Sequence, residues 1–350
     1  MTGFDMTKLN LRLPIIQAPM AGVTTPALAA AVSNAGGMGS LGLGAVNAAT
    51  AATLIKEMQE KTAQPFNVNF FAHDEPRRDP ISEQRWLTCL APLFKTFGSS
   101  PPDTLTAPYQ NFDNTPDIVS VLLALKPSVV SFHFGLPSHE KMTALKQAGI
   151  ILMATVTCLA EAKKAQENGI DILVAQGIEA GGHRGIFDTT SRDDAYSTAV
   201  LTGLLTKNCP LPVIAAGGIM DGSAVISALR SGAIAAQLGT AFLGCPETGI
   251  SAAYRQALTS DEAWHTQLTH LVSGRPARII PNSFSALDRD TSPPPYPIAY
   301  DAGKALHNAA RQQNNHSFAA HWAGQGAPLC RFLPVHTLMK TLEAEMKSGL

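Results

Sequence analysis

Eight short apolar runs, each closed by Gly, Pro, Asn or another turn-forming residue, constrain this 350-residue chain more than any other feature. They lie at Ile15–Ala18, Gly39–Leu41, Phe66–Asn69, Val129–Phe132, Ile151–Ala154, Ile172–Ala175, Val213–Ala216 and Ile234–Gln237. Runs this short suit strands covered on both faces. Helical patterns fill several of the gaps. Pro26–Asn34 opens with Pro at a helix start, Leu159–Asn168 is amphipathic, and Ser223–Arg230 stops before Gly232. Strand alternating with helix argues for parallel βαβ units, and eight of them make an α/β fold of the (β/α)8 TIM barrel type. A doubly wound open sheet is the alternative.

The pattern is interrupted twice. A polar, Pro-rich stretch, His73–Asp117, separates the third and fourth runs and holds a helical pattern near Gln84–Phe97. After Cys245 the chain continues with helical character and one irregular segment, Ser283–Pro297, in which Ser292-Pro293-Pro294-Pro295 reads as a rigid turn. This divides the chain into a barrel from 1–72 and 118–245, and a smaller, mainly helical domain from 73–117 and 246–350 that covers the substrate.

From Leu13 to Ile55 no residue is charged, yet a membrane span is a poor reading. Pro14, Pro19, Pro26 and six glycines break the stretch, and its longest strictly apolar run is Ala27–Val32. A secretory signal fits no better, because Asp5 lies upstream and Gln17 and Pro19 interrupt the apolar run. Lys and Arg number 26 against 27 Asp and Glu, so the chain lacks the basic footprint that nucleic acid or an anionic membrane requires. Five scattered cysteines without a CxxC pair argue against a zinc ribbon or a disulfide framework and for a reducing, cytoplasmic setting.

In such a barrel the chemistry sits on the loops after the strands. Pro19 and Met20 follow the first run, Asn69 ends the third, and His133 follows the fourth. Gln176 follows the sixth, with Gly181-Gly182-His183 close behind. Gly217-Gly218 follows the seventh, and Gln237-Leu238-Gly239-Thr240 closes the eighth. Glycine turns after the last two strands form the usual phosphate site of these barrels, because unhindered N–H groups can approach an anion; simple tight turns are the alternative. An imidazole at His133 can take a proton from a carbon acid or stabilise an anion. Its alternative is a structural histidine bonded to a backbone carbonyl. Phe132, Phe134 and Leu136 supply apolar walls beside it.

Several motifs are decoys. Gly37-Met38-Gly39-Ser40-Leu41-Gly42 matches the dinucleotide fingerprint, but a helix precedes it and a strand lies within it, the reverse of what that motif needs. His139-Glu140 begins like HExxH, but Thr143 stands where the second histidine belongs, so no metal site is expected. Cys158 and Cys245 read as small buried hydrophobes. Ser273-Gly274-Arg275-Pro276-Ala277-Arg278 places two arginines on a turn-rich segment whose default reading is a solvated turn.

Taken together, these residues resemble the nitronate monooxygenases, formerly called 2-nitropropane dioxygenases. The likeness rests on Pro14-Ile15-Ile16-Gln17-Ala18-Pro19-Met20-Ala21-Gly22, Phe66-Asn67-Val68-Asn69-Phe70-Phe71 and Ser131-Phe132-His133-Phe134-Gly135-Leu136-Pro137. It continues through Gln176-Gly177-Ile178-Glu179-Ala180-Gly181-Gly182-His183-Arg184-Gly185, Ala215-Ala216-Gly217-Gly218-Ile219 and Gln237-Leu238-Gly239-Thr240. The resemblance implies bound FMN, with Ala18, Pro19 and Met20 near the flavin ring. Contacts to the cofactor fall to Asn69, Gln176, Gly181, Gly182, Gly217, Gly218 and Gln237 through Thr240. It makes His133 the catalytic histidine and, with His183, a substrate contact. It implies oxidation of an alkyl nitronate such as propionate 3-nitronate by O2 to an aldehyde or ketone plus nitrite, a detoxification. A homodimer is the assembly this reading allows for.

Three other readings compete. An NAD(P)H-dependent flavin reductase of the same barrel family, acting on quinones or enoyl-thioesters, shares the glycine turns. A flavin- or phosphate-binding protein without turnover would need no His133. A non-flavin aldolase or isomerase is weakened because no Lys lies at a strand's C-terminal end to form a Schiff base.

Overall fold

All eight apolar runs are parallel strands of one sheet. In the computed structural model, which describes residues 9–287 and 292–349, they are β1 (Ile15–Gln17), β2 (Gly39–Gly42), β3 (Phe66–Phe71), β4 (Val129–His133), β5 (Ile151–Val156), β6 (Ile172–Gln176), β8 (Val213–Ala216) and β9 (Ala235–Leu238). A two-residue strand, β7 (Gly182–His183), lies in the loop after β6. Residues 1–8, assigned above to the barrel, lie outside the described residues, as do 288–291 of the irregular segment and Leu350.

The sheet runs β1-β9-β8-β6-β5-β4-β3-β2. It closes where the Gln17 N–H donates to the Met38 carbonyl at 2.9 Å and the Met38 N–H to the Ile15 carbonyl at 3.0 Å. Closure makes this a TIM barrel and removes the open-sheet alternative.

Period-two alternation sorts each strand's side chains between two cores. On β3, Phe66, Val68 and Phe70 join the apolar layer beneath the surrounding helices, so Asn67, Asn69 and Phe71 point inward. Ile16, Met38, Val129, Met153, Ile172 and Ile214 fill the barrel floor. The outer helices begin with α1 (Pro26–Asn34), where Thr25 Oγ1 accepts from the Leu28 N–H at 3.0 Å and caps the first turn. They continue with α2 (Ala48–Lys61), then α4 (Ile118–Leu125), α5 (His139–Gln147), α6 (Leu159–Glu167), α7 (Thr198–Asn208) and α8 (Gly222–Arg230).

The polar insertion contributes α3 (Pro80–Thr96), the turn after β9 leads into the short α9 (Thr240–Leu243), and the tail supplies α10 (Ala252–Ala257), then α11 (Ile298–Arg311) and α12 (Val335–Ser348). Trp86, Leu90 and Phe94 of α3 pack with Ile298, Ala302 and Leu306 of α11, so insertion and tail share one apolar cluster. Two strands not foreseen from the sequence, β10 (Gln267–Thr269) and β11 (Ala277–Ile279), pair antiparallel, and β11 also pairs with β7. These strands are too short to show a periodic signal, and they form because β7 offers a partner from the barrel side.

Helix α12, assigned by sequence to the smaller domain, packs on the barrel instead. Val335, Leu338, Met339, Leu342 and Met346 recur at helical spacing and meet Leu28 and Val32 of α1 and Val225 and Ile226 of α8. Each such side chain contributes about 1.5–3 kcal/mol when fully buried, which explains why the helix docks on the apolar seam between α1 and α8. Among the described residues, no helix is long and apolar enough to cross a membrane.

Candidate active site

The C-terminal ends of the strands open into a cavity of about 570 Å³. Ala18, Pro19 and Met20 line it from the β1 end, and Asn69 and His133 from β3 and β4. Gln176, Gly181, Gly182 and His183 line it from the β6 end, while Gly217, Gly218, Gln237, Gly239 and Thr240 line it from the last two turns. Leu238 is the exception. Gln237 faces the barrel, so alternation turns the Leu238 side chain outward into the apolar layer with Leu28 and Phe242. Only its carbonyl serves the site, accepting from the Ala18 N–H at 2.8 Å.

His133 faces the cavity and is also bonded to a backbone carbonyl. Its ring lines the cavity, and its Nε2 lies 3.2 Å from the His183 carbonyl. A carbonyl only accepts, so Nε2 carries the proton and Nδ1 the lone pair. The same carbonyl accepts from Gln176 Nε2 at 2.9 Å, while Gln176 Oε1 accepts from the Gly185 N–H at 2.8 Å and from Arg184 at 3.2 Å. Gln176 therefore spends most of its amide on fixing the loop that carries His183.

Arg184, 1 % exposed, fixes that loop from below. It forms a two-pronged pair with Asp193 at 2.8 and 3.0 Å and donates to the Gln176 and Gly177 carbonyls, each at 3.0 Å. Its own N–H donates to the Pro276 carbonyl as β7 joins β11.

Phe134 follows His133 with φ +78°, a left-handed conformation that a bulky residue adopts only under constraint. The turn swings its ring back into the cavity instead of letting it alternate outward. The Arg275 guanidinium lies 4.3 Å from that ring's centre and Phe71 4.9 Å, which holds it there. Of the three expected apolar walls, Phe134 alone faces the cavity. Phe132 points outward against Phe112, and Leu136 packs on the outer core.

The two arginines of residues 273–278 are buried, not solvated. Arg278 donates to the Ile178 and Thr266 carbonyls. Arg275 donates to the Ile186 carbonyl at 2.8 Å, and its Nε has no acceptor among the described residues. A buried guanidinium behind Phe134 makes the cavity's rear wall electropositive.

Burial, with that charge added, holds the nearby imidazoles neutral. His133 is pushed down to about 4 and His183 to about 3, in both cases by desolvation first. His73, behind Phe134 and Tyr296, falls to about 4 through burial and the Arg275 charge, and His321 to about 4 through burial and its neighbours His307 and His316. In the unfolded chain each charges near 6.5. Between about pH 6.5 and 4 the unfolded state thus binds more protons, so stability falls as pH drops through that window and is level above it. The expected outcome is a calorimetric Tm that is flat from pH 7 to 8 and declines steadily from pH 6.5 to 4.5. A Tm unchanged down to pH 4.5 would show that these rings charge freely in the folded protein. Burial also pushes the Cys245 thiol up to about 12, which suits a packing role.

Sequence reasoning missed the wall opposite His133. Tyr109, Tyr254, Tyr296 and Tyr300 line the cavity, four of the chain's five tyrosines, together with Lys304 and Trp322. Lys304 Nζ sits 4.6 Å from the Tyr109 ring centre and 5.5 Å from that of Tyr300. The available signal was the spacing of 296, 300 and 304, one face of α11 and the residues leading into it. Tyr109 stands alone in the insertion and gave none.

The donor set suits a flavin mononucleotide. Asn69 Nδ2 donates to Ser131 Oγ at 2.9 Å, leaving its carbonyl oxygen for a ligand. Deeper in the barrel, Ser40 and Asn67 oppose each other across β2 and β3, fully buried, with Ser40 Oγ and both amide atoms of Asn67 unpartnered. Such atoms call for a polar ligand edge or ordered water. At the other end of the cavity the N–H groups of Gly218 and Gly239 have no acceptor among the described residues. A Cβ on Gly181 would lie 2.5 Å from the Gly324 nitrogen, so only glycine lets these two loops approach this closely. The Gly324 N–H, in turn, donates to Thr240 Oγ1 at 2.9 Å.

Known proteins share this sequence and fold. Residues 4–345 match the family described as Nitronate monooxygenase. A protein named Nitronate monooxygenase from Paraburkholderia phytofirmans is 53 % identical, over 98 % of this chain and 94 % of its own length. Another of that name from Pseudomonas aeruginosa is 48 % identical, over 97 % of each. The crystal structure of a nitroalkane oxidase from Streptomyces ansochromogenes superposes with a TM-score of 0.90 at 37 % identity, covering 98 % of both chains.

Proposed function

Because this chain belongs to the nitronate monooxygenase family, we propose that its barrel binds FMN and, with O2, converts alkyl nitronates to an aldehyde or ketone plus nitrite. The chain is an oxidoreductase of that family, and oxidation of nitronates is the chemistry the family carries. The observation that supports the finer reading most is His133: a neutral imidazole with a free Nδ1 lone pair, facing the cavity between unpaired glycine N–H groups and a tyrosine-rich wall. FMN, when bound, supplies the electron acceptor. Asn69 and the Ala18–Met20 turn would hold its ring, and the turns at Gly181, Gly182, Gly217, Gly218, Gly239 and Thr240 its phosphate.

Within that frame His133 Nδ1 removes the α-proton of a neutral nitroalkane, and the resulting imidazolium holds the nitronate oxygen. A nitronate that arrives ionised meets the same ring with the Arg275 charge behind it. His183, donor or acceptor to Ser273 Oγ at 2.8 Å, is pinned against the substrate space. Phe134 and Tyr296 exclude water from the reacting carbon. Lys304 gives a carboxylated nitronate such as propionate 3-nitronate a counter-charge, consistent with detoxification of such compounds.

The test is an aerobic assay of the purified protein with an alkyl nitronate and no nicotinamide. Equimolar nitrite and carbonyl product, with FMN recovered on denaturation, is the expected result. Consumption of NADH with a quinone acceptor and no nitrite would replace this reading with the reductase one.

A further inference from the structure

Beside the main cavity runs a second groove of about 330 Å³ that the reaction described above does not use. Its walls carry five basic side chains: Lys304, His307 and Arg311 from α11, and His316 and His321 from the following segment. No carboxylate lines it among the described residues. Lys304, His307 and Arg311 fall at helical spacing on one face, so the basic stripe is a property of the helix register. Tyr300 and Lys304 line both spaces, so the groove adjoins the catalytic cavity at these side chains. His307 Nδ1 is buried with no partner among the described residues, a polar atom left for a ligand. Nor do the histidines converge with other ligands into a metal-binding group among the described residues.

We propose that this groove is an anion subsite that holds a carboxylate or phosphate on the far end of an extended substrate whose reacting carbon lies beside His133. The inference rests on the nitronate reading of the main cavity. Lys304 and Arg311 are seven residues apart, roughly 10 Å along the helix. Lys304 therefore meets the charge of a short substrate, and Arg311 with His307 that of a longer one. The groove also responds to pH. His307 and His321 are held below their usual range by burial and by the other cations of the cluster, His316 and Arg311 among them. Lys304 and Arg311 face these rings from α11, His316 from the tail, and Tyr254 stacks on His321 at 4.6 Å. A bound anion reverses the repulsion and draws protons onto the rings, so binding tightens as pH falls.

Two measurements on the FMN-loaded protein decide this. The first is isothermal titration with inorganic pyrophosphate at pH 6 and pH 8. The second is turnover of ω-carboxyalkyl nitronates of increasing chain length, compared with uncharged alkyl nitronates. Pyrophosphate is expected to bind more tightly at pH 6, with proton uptake. The His307→Gln/Arg311→Gln double variant should lose that binding. It should also raise KM for the long carboxylated nitronates at least about tenfold relative to the uncharged ones, with kcat little changed. Arg311→Lys should restore part of the loss. An equal change for charged and uncharged substrates, or pyrophosphate binding that the double variant leaves intact, overturns the subsite. Pyrophosphate binding without any chain-length preference assigns the groove to a free anion and overturns the substrate tail. Absence of nitronate turnover in the wild type overturns the functional reading and the tail with it, while pyrophosphate binding still decides whether the groove holds anions.

Discussion

His133→Asn is expected to retain its FMN and to lose about 10²–10⁴-fold in turnover of neutral nitroalkanes, the range for removing a positioned general base. Asn is too short to reach the His183 carbonyl, where His133 Nε2 sits at 3.2 Å, but Gln176 Nε2 still donates to that carbonyl at 2.9 Å, so the loop geometry survives. What disappears is the Nδ1 lone pair and the charge it acquires. For a preformed nitronate no proton need be removed; the bound anion instead draws a proton from solvent onto Nδ1, and the hydrogen bond from that imidazolium to the anion is what is lost. A charge-assisted bond of that kind corresponds to about 10- to 100-fold, so most nitronate turnover disappears too, but less than for the nitroalkane. Steady-state nitrite release from both substrates, with bound FMN measured by absorbance, separates the two roles. Equal losses for both substrates would make His133 a binding residue only, and near-normal rates with full FMN would remove it from the mechanism.

The second large effect falls on stability. Arg184→Met should destabilise the fold by about 3–5 kcal/mol, because it leaves two buried carbonyls without their Arg184 donor and Asp193 with only the Ala195 N–H. Asp193 is held below the usual carboxylate range: burial pushes it up, and the Arg184 hydrogen bonds and charge more than offset this. The damage should spread to the site, since Arg184 also holds Gln176 Oε1, and Gln176 holds the His183 carbonyl to which His133 is bonded. Urea denaturation and the FMN dissociation constant are the measurements. Weaker FMN retention alongside the lost stability is the expected pair. A variant that melts like the wild type would show that the buried guanidinium is energetically idle.

The barrel was legible because its signal is covalent spacing: short apolar runs and turn glycines that no tertiary contact is needed to explain. The same logic located Asn69, His133, Gln176 and the glycine turns at strand ends. Leu238 failed for a local reason, since motif membership ignores side-chain parity and its neighbour Gln237 takes the inward place. Phe134 could not be foreseen as the one aromatic wall, because a left-handed residue at a strand end breaks the alternation on which the reading relies. Arg275 and Arg278 looked solvated for want of their partners, which are backbone carbonyls and include Ile186 and Ile178, 89 and 100 positions earlier. The tyrosine wall assembles from the insertion, α10 and the start of α11, and apart from the spacing of 296, 300 and 304 such long-range assembly leaves nothing to read. Helix α12 shows the same limit: its apolar face was evident, but not which surface it would cover.

That last helix sets the order in which the molecule can be made. Its apolar face seals a seam between the first helix of the chain and α8, and Glu247 accepts from the Val335 N–H at 3.0 Å where it begins. During synthesis α1 therefore emerges some 300 residues before its cover. Until α12 has emerged from the ribosome, the nascent barrel carries an exposed greasy strip, the kind of surface that recruits chaperones or other nascent chains. Emergence of α12, not closure of the eighth strand, is the event that ends this vulnerability.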